Sequence, residues 1–253
     1  MKITEYNKII SANWKMNGSL ALISEFNEYF NKNYTFIDKN NLILFFPPAT
    51  YFDRFSKIFN DYSNIFYGAQ DCSLYNNSSR TGEISASIIK DIGCNFVILG
   101  HSERRDIFNE TNKIVFDKAQ QAIDNNLKLI ICIGENQKQK NELKTQEILD
   151  NQIKFSLPLC CNPNNTIIAY EPVWAIGSGK TPTLQEIEDI NMFIKSVLRS
   201  KFNDTLENDF KILYGGSVNS GNISNILDSR IIDGVLVGGA SLNVSDFGKI
   251  LKF

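Results

Sequence analysis

The residues Ala-Tyr-Glu-Pro-Val-Trp-Ala-Ile-Gly-Ser-Gly-Lys, positions Ala169 to Lys180, hold the chain's most suggestive chemistry. A carboxylate, Glu171, ends an apolar run and is followed by Pro172. Val173, Trp174, Ala175, Ile176, Gly177, Ser178, Gly179 and Lys180 come next, apolar first and then glycine-rich. That order suits a general base held on a rigid strand beside a loop able to close over it. Other reactive side chains also stand at the ends of apolar runs. They are Asn13 and Lys15 around the end of the first run, His101 after the fourth, and the pairs Gly215-Gly216 and Gly238-Gly239 after the last two. His101 is the only histidine. Glycine pairs let backbone N–H groups come close to an anion, and Ser217 adds a hydroxyl and an amide beside the first pair.

These residues need elements that bring them to one place. Eight short apolar runs mark the chain: Ile9–Trp14, Leu42–Phe46, Ile65–Ala69, Phe96–Gly100, Leu129–Ile133, Thr166–Tyr170, Lys211–Tyr214 and Gly234–Val237. Their near-continuous apolar character predicts strands buried on both faces, as in a parallel sheet. Between them lie helical stripes. Leu20, Ile23, Phe26 and Phe30 form one, Ile114, Ala119, Ala122 and Ile123 another, and Ile187, Ile190, Phe193, Ile194 and Val197 a third. Ser19, Thr111, Thr183 and Ser241 are the expected N-caps, and Gly93 and Asn125-Asn126 the expected stops. Eight strands alternating with helices over 253 residues predict an α/β fold, a single closed (β/α)8 barrel of eight parallel strands with outer helices. The whole chain, 1–253, is expected to be one catalytic domain. A doubly wound open sheet is the alternative, but the turn after the first run, Lys15-Met16-Asn17-Gly18, is not glycine-rich.

A barrel does its chemistry at the C-terminal ends of its strands. Asn13 and Lys15, two apart, are expected to share a face. Each reactive residue also has an ordinary reading: a structural histidine, a solvated lysine, a tight turn. Together the ordinary readings lose, because all these residues fall at the same end of the alternating elements.

Bulk properties narrow the classes. A net charge of −2 argues against a broad nucleic-acid or anionic-membrane surface. Five cysteines, an odd number with no C-x-x-C, fit a reduced cytoplasmic protein, and Cys160-Cys161 is expected to be inert packing. Neither an apolar leader nor a run of about 18 apolar residues is present. Gly179-Lys180-Thr181 looks like the end of a P-loop, but position 174 is Trp rather than Gly. One histidine and scattered cysteines make no zinc pattern. No metal and no cofactor are expected.

The chain resembles the triosephosphate isomerase family from end to end. The matching pieces are Asn13-Trp14-Lys15-Met16-Asn17-Gly18, Gly100-His101-Ser102-Glu103-Arg104-Arg105, Cys132-Ile133-Gly134-Glu135, Ala169 to Lys180, Tyr214-Gly215-Gly216-Ser217-Val218 and Gly238-Gly239-Ala240-Ser241-Leu242. They stand in the family's order and spacing. The resemblance implies a TIM barrel that interconverts dihydroxyacetone phosphate and D-glyceraldehyde 3-phosphate in glycolysis and gluconeogenesis. It implies Glu171 as the base and His101 as the electrophile. Lys15 and Asn13 would stabilise substrate and enediolate, and Glu103 would support Lys15. Gly177, Ser217, Gly238 and Gly239 would hold the phosphate. Pro172 to Lys180 would be a lid, latched by Tyr214 and Ser217. The family is itself the standard illustration of a Glu base paired with a neutral His, whose pKa a helix N-terminus lowers. Such a helix can begin at Ser102.

The resemblance also implies a homodimer. The stretch Gln70 to Glu83, with Thr81 and Glu83 at its far end, would insert into a second subunit near Asn13 and Lys15. Ser178 departs from the family's usual threonine in the lid. A pentulose-phosphate epimerase would share the glycine cup but needs metal-binding histidines that this chain lacks. A barrel that only binds a partner would have lost Lys15, His101 or Glu171, and all three remain.

Overall fold

The computed structural model describes residues 1–175, 181–202 and 209–253. Eight strands run β1 (Ile9–Asn13), β2 (Leu42–Phe46), β3 (Ile65–Ala69), β4 (Phe96–Leu99), β5 (Lys128–Ile133), β6 (Thr166–Tyr170), β7 (Lys211–Tyr214) and β8 (Gly234–Val237). They close in chain order into a barrel, β8 pairing with β1, and every pairing is parallel. The observed strands differ from the apolar runs by at most one residue at an end.

Alternation along the strands divides the core in two. Ile9, Leu42, Leu44, Phe46, Phe96, Ile98, Ile130, Cys132, Ile167, Ala169, Leu213 and Leu236 form one buried cluster, from alternate positions of successive strands. Their neighbours of opposite parity, such as Ile10, Phe45, Val97, Ile131 and Ile168, pack with the helices in a second cluster. The first set fills the barrel and the second joins barrel to helices. An inward position at a strand's C-terminal end therefore faces the barrel mouth.

Local capping follows the expectation at three sites. Ser19 accepts from Leu22 N–H, Thr111 from Ile114 N–H, and Thr183 exchanges hydrogen bonds with Glu186. Gly93 (φ 93°) and Asn126 (φ 59°) end their helices in the left-handed region. Three expectations fail. Ser241 lies inside a short 3-10 turn (Gly239–Leu242) and gives its hydroxyl to Gly238 O; the helix Val244–Ile250 is capped by Asn243. Leu20 is 56% exposed, because it opens its helix before the stripe turns inward. Cys160 is exposed rather than packed, its thiol toward Gln120 Oε1, while Cys161 is buried. All five cysteines are free.

Candidate active site

The site begins with where the strands stop. On β6 the inward positions are Ile167 and Ala169, so the next is Glu171, just past the strand. Its side chain enters the barrel mouth and is only 2% exposed. A side chain on Gly215 would collide with it, since an added Cβ would sit 2.9 Å from Glu171 Cγ. A bare backbone at the end of β7 is what leaves room for the carboxylate.

His101 reaches the mouth by a different route. The inward residues of β4 are Phe96 and Ile98, which gives position 101 the outward parity. Gly100 breaks the alternation with φ 66°, a conformation few other residues adopt. His101 then becomes the N-cap of the helix Ser102–Ile107, and its Nδ1 accepts from Glu103 N–H at 3.3 Å. An imidazole accepting at Nδ1 carries its proton on Nε2. That nitrogen stands 3.1 Å from Glu171 Oε1. The other carboxylate oxygen, Oε2, accepts from Ser102 N–H at 3.0 Å.

Electrostatics couples the pair. Burial disfavours charge on His101, but the Glu171 carboxylate outweighs it and lifts the imidazole above its ordinary range. For Glu171, burial works against ionisation, yet His101 and the Ser102 amide hold the carboxyl below its usual value. The helix start alone thus does not make His101 a weak base while the two side chains touch, contrary to the expected lowering. A substrate lying between them would remove the cause of the rise.

Asn13 and Lys15 meet in the pocket, but not through strand alternation. β1 ends at Asn13, and Lys15 lies beyond it at φ 51°, a strained conformation for a residue with a side chain. Three contacts hold it there. Asn13 Oδ1 accepts from Lys15 N–H at 3.0 Å, Gln70 Nε2 donates to Lys15 O at 2.8 Å, and Lys15 Nζ pairs with Glu103 Oε1 at 2.7 Å. Trp14, fully buried, packs against Phe55 with ring centroids 5.2 Å apart and anchors the turn from behind.

A cavity of about 300 Å³ joins these groups. Asn13, Lys15, His101 and Glu171 line it together with Gly215, Gly216, Ser217, Gly238 and Gly239. Of the predicted catalytic residues, Glu103 does not line this cavity, nor does the latch residue Tyr214. Glu103 reaches the site only through Lys15 and, at 3.5 Å, His101 Nδ1.

After Glu171 the chain makes a 3-10 turn, Val173–Ala175. Trp174 Nε1 donates to Glu135 Oε1 at 2.8 Å, and Tyr170 Oη donates to the same carboxylate at 3.2 Å. Glu135 is buried, which raises its pKa against these hydrogen bonds. Ser217 Oγ donates to Ala175 O at 3.3 Å, so that latch residue already touches the turn. The other, Tyr214, is buried, and its hydroxyl has no hydrogen-bond partner among the described residues. Ile176, Gly177, Ser178, Gly179 and Lys180, with their expected lid and phosphate roles, lie outside the described residues. Thr81 and Glu83 are exposed, in a stretch between β3 and the helix Ala86–Asp91 that has no regular element.

Sequence reasoning gave no role to the Ser102 amide, Gln70 or Glu135. Ser102 and Glu135 were visible inside matching motifs. Gln70 was read only as the start of the stretch expected to enter a second subunit, whereas its amide bonds Lys15 O of its own chain.

The triosephosphate isomerase family model matches residues 8–253. The chain is 42% identical to triosephosphate isomerase of Mycoplasma mobile over 249 residues, covering 97% of this chain and 99% of that one. It is 41% identical to the enzyme of Buchnera aphidicola subsp. Cinara cedri, covering 96% and 97%. The crystal structure of triosephosphate isomerase from Bartonella henselae superposes with a TM-score of 0.85 at 34% identity, covering 96% of this chain and 97% of that one. With a barrel closed in chain order, a buried Glu–His pair at its mouth and these matches along its length, the chain belongs to the triosephosphate isomerase family.

Proposed function

We propose that the chain interconverts dihydroxyacetone phosphate and D-glyceraldehyde 3-phosphate by intramolecular proton transfer, as an aldose–ketose isomerase of glycolysis and gluconeogenesis. One observation carries the reading: a buried carboxylate, an imidazole and an ammonium converge on one small cavity that two glycine pairs also line.

The Glu171 carboxylate takes a proton from the carbon beside the substrate carbonyl, and the electron pair moves onto the carbonyl oxygen. His101 Nε2–H donates to that oxygen as it becomes anionic, and Lys15 adds positive charge. The enediolate then takes the proton from Glu171 on the neighbouring carbon, while the oxygens exchange a proton through His101. Each proton and charge in this path is handled by Glu171, His101 and Lys15, so the path calls on no cofactor. Asn13 orients Lys15 and the substrate. Ser217, Gly238 and Gly239 hold the phosphate, with Gly177 completing the cup. The segment Pro172 to Lys180 closes over the intermediate, latched at Tyr214 and Ser217, and keeps water from promoting phosphate loss.

The working unit is a homodimer in the cytoplasm. Met16 (96% exposed), Ile107 (66%) and Phe108 (63%) form an apolar rim around a second cavity that also reaches Lys15 and Glu103. Of the stretch Gln70 to Glu83, Gln70 and Asp71 stay on their own chain, bonded to Lys15 and Lys118; the outer part of a second copy's stretch, Thr81 foremost, fills that cavity and braces Lys15.

Turnover in deuterium oxide tests the proton path. A proton held on a carboxylic acid exchanges with solvent, so product should carry deuterium at the carbon receiving it. Product with no solvent deuterium, formed by a shielded hydride shift, would contradict the reading.

A further inference from the structure

Both oxygens of Glu171 are engaged, one with His101 Nε2 and one with Ser102 N–H. The carboxylate must therefore turn before it can take a proton from a substrate. Three residues further on, Trp174 lies in the turn Val173–Ala175, closed by Ala175 N–H on Pro172 O at 2.7 Å, so a shift of the backbone at Glu171 is passed on to it. What holds Trp174 then bears on how readily the base is released.

Two opposite charges hold the indole. Its N–H points at the Glu135 carboxylate, 2.8 Å away, and Lys140 Nζ stands 3.2 Å from the ring centroid. The ring thus gives its positive edge to an anion and its negative face to a cation. Lys140 lies in the last turn of its own short helix, Gln137–Asn141, which a capping box on Asn136 and Gln139 fixes in place. It also looks across to the far side of the segment that follows Trp174, with Nζ 3.9 Å from Glu186 Oε1. Glu186 is in turn fixed by Thr183, whose N–H and hydroxyl both donate to its Oε2. One lysine therefore touches the chain on both flanks of residues 176–180. The Glu186 pair is long and over half exposed on the acid's side, so it contributes little energy. The ring contact is the stronger of the two.

We infer that Lys140 is a positioning residue of the isomerase, holding Trp174 in its ligand-free place and so biasing Glu171 against release from His101 and Ser102. This rests on the proposed function, because it takes the Glu171 segment to move when substrate binds. Any shift of the Trp174 ring out of this place breaks the contact that Lys140 makes with it. Removing the charge while keeping the stem should make that shift easier.

The test uses Lys140→Met and Lys140→Arg, with 2-phosphoglycolate as a probe that carries a phosphate and a planar anion. Trp14 and Trp174 are the only tryptophans, and Trp14 is fully buried, so Trp174 dominates ligand-dependent emission and quenching by acrylamide. In Lys140→Met, 2-phosphoglycolate should bind about two- to fivefold tighter, the range a partly exposed cation–ring contact supports. Ligand-free Trp174 should also be quenched more readily, and KM should fall without a matching rise in kcat. Lys140→Arg keeps the cation and should match the wild type. Wild-type protein with no turnover overturns the functional reading and this inference with it. Wild-type turnover beside a folded Lys140→Met variant with unchanged quenching and affinity overturns this inference alone.

Discussion

Glu171 Oε1 stands 3.1 Å from His101 Nε2 while Oε2 of the same carboxylate accepts from Ser102 N–H at 3.0 Å, so the base and the electrophile touch each other before any substrate arrives. The carboxylate's reach is set by its two side-chain methylenes. Glu171→Asp withdraws it by one of them while keeping the charge. Steady-state kinetics should show kcat lower by about 100-fold or more, since a misplacement near 1 Å has that cost, with KM changed far less. Near-wild-type kcat would place the base elsewhere.

The same contact makes stability depend on pH. The folded His101 pKa is raised, so its contribution is complete below about 6.5 and is lost as pH rises through the folded value. The folded Glu171 pKa is lowered, so its contribution is present above about 4.3 and is lost as pH falls through the folded value. The pair should therefore stabilise the fold most between about pH 4.3 and 6.5. Melting temperatures of wild type and Glu171→Gln, taken across pH, should differ most inside that window and converge above it. A constant difference would mean that the pair is not ionically coupled.

Among the described residues lining the pocket Lys15 is the lysine, and three contacts hold it at φ 51°. Lys15→Met keeps the stem and removes the charge. Affinity for inorganic phosphate or substrate should fall by about 30-fold or more, as expected when one partner of an enclosed charge pair is cut. The wild type's affinity should weaken with salt, and the variant's much less. Equal salt dependence in both would assign the anion to other groups.

Glu135 carries the turn after the base. Glu135→Ala leaves the Trp174 N–H and the Tyr170 hydroxyl without their acceptor. Such a loss costs about 1–3 kcal/mol where the donors stay buried, and it should appear as a lower melting temperature together with shifted Trp174 emission. Glu135→Gln keeps an acceptor oxygen and should restore much of both. Unchanged emission in Glu135→Ala would mean that Trp174 is held from elsewhere.

The barrel was legible because strands buried on both faces are written as apolar runs, and β2, β3, β6, β7 and β8 match their runs end to end. The convergence of Asn13, Lys15, His101 and Glu171 was legible because a barrel gathers strand ends at one mouth. The way each arrives was less legible. Lys15 and His101 get there through positive φ at Lys15 itself and at Gly100, and a positive φ leaves no periodic signal. Ser241 looked like a cap because serine suits that role, yet the chain used Asn243 two residues later. The Gln70 and Glu135 contacts join distant parts of the chain, and no local pattern announces them.

The most direct measurement is isomerisation of D-glyceraldehyde 3-phosphate by the purified protein, followed by a coupled assay for dihydroxyacetone phosphate, with and without a chelator. Rapid turnover that the chelator leaves unchanged, and that Glu171→Ala abolishes while inorganic phosphate still binds, is the predicted result. Folded protein with no turnover, turnover that needs a metal, or full activity in Glu171→Ala would contradict the account.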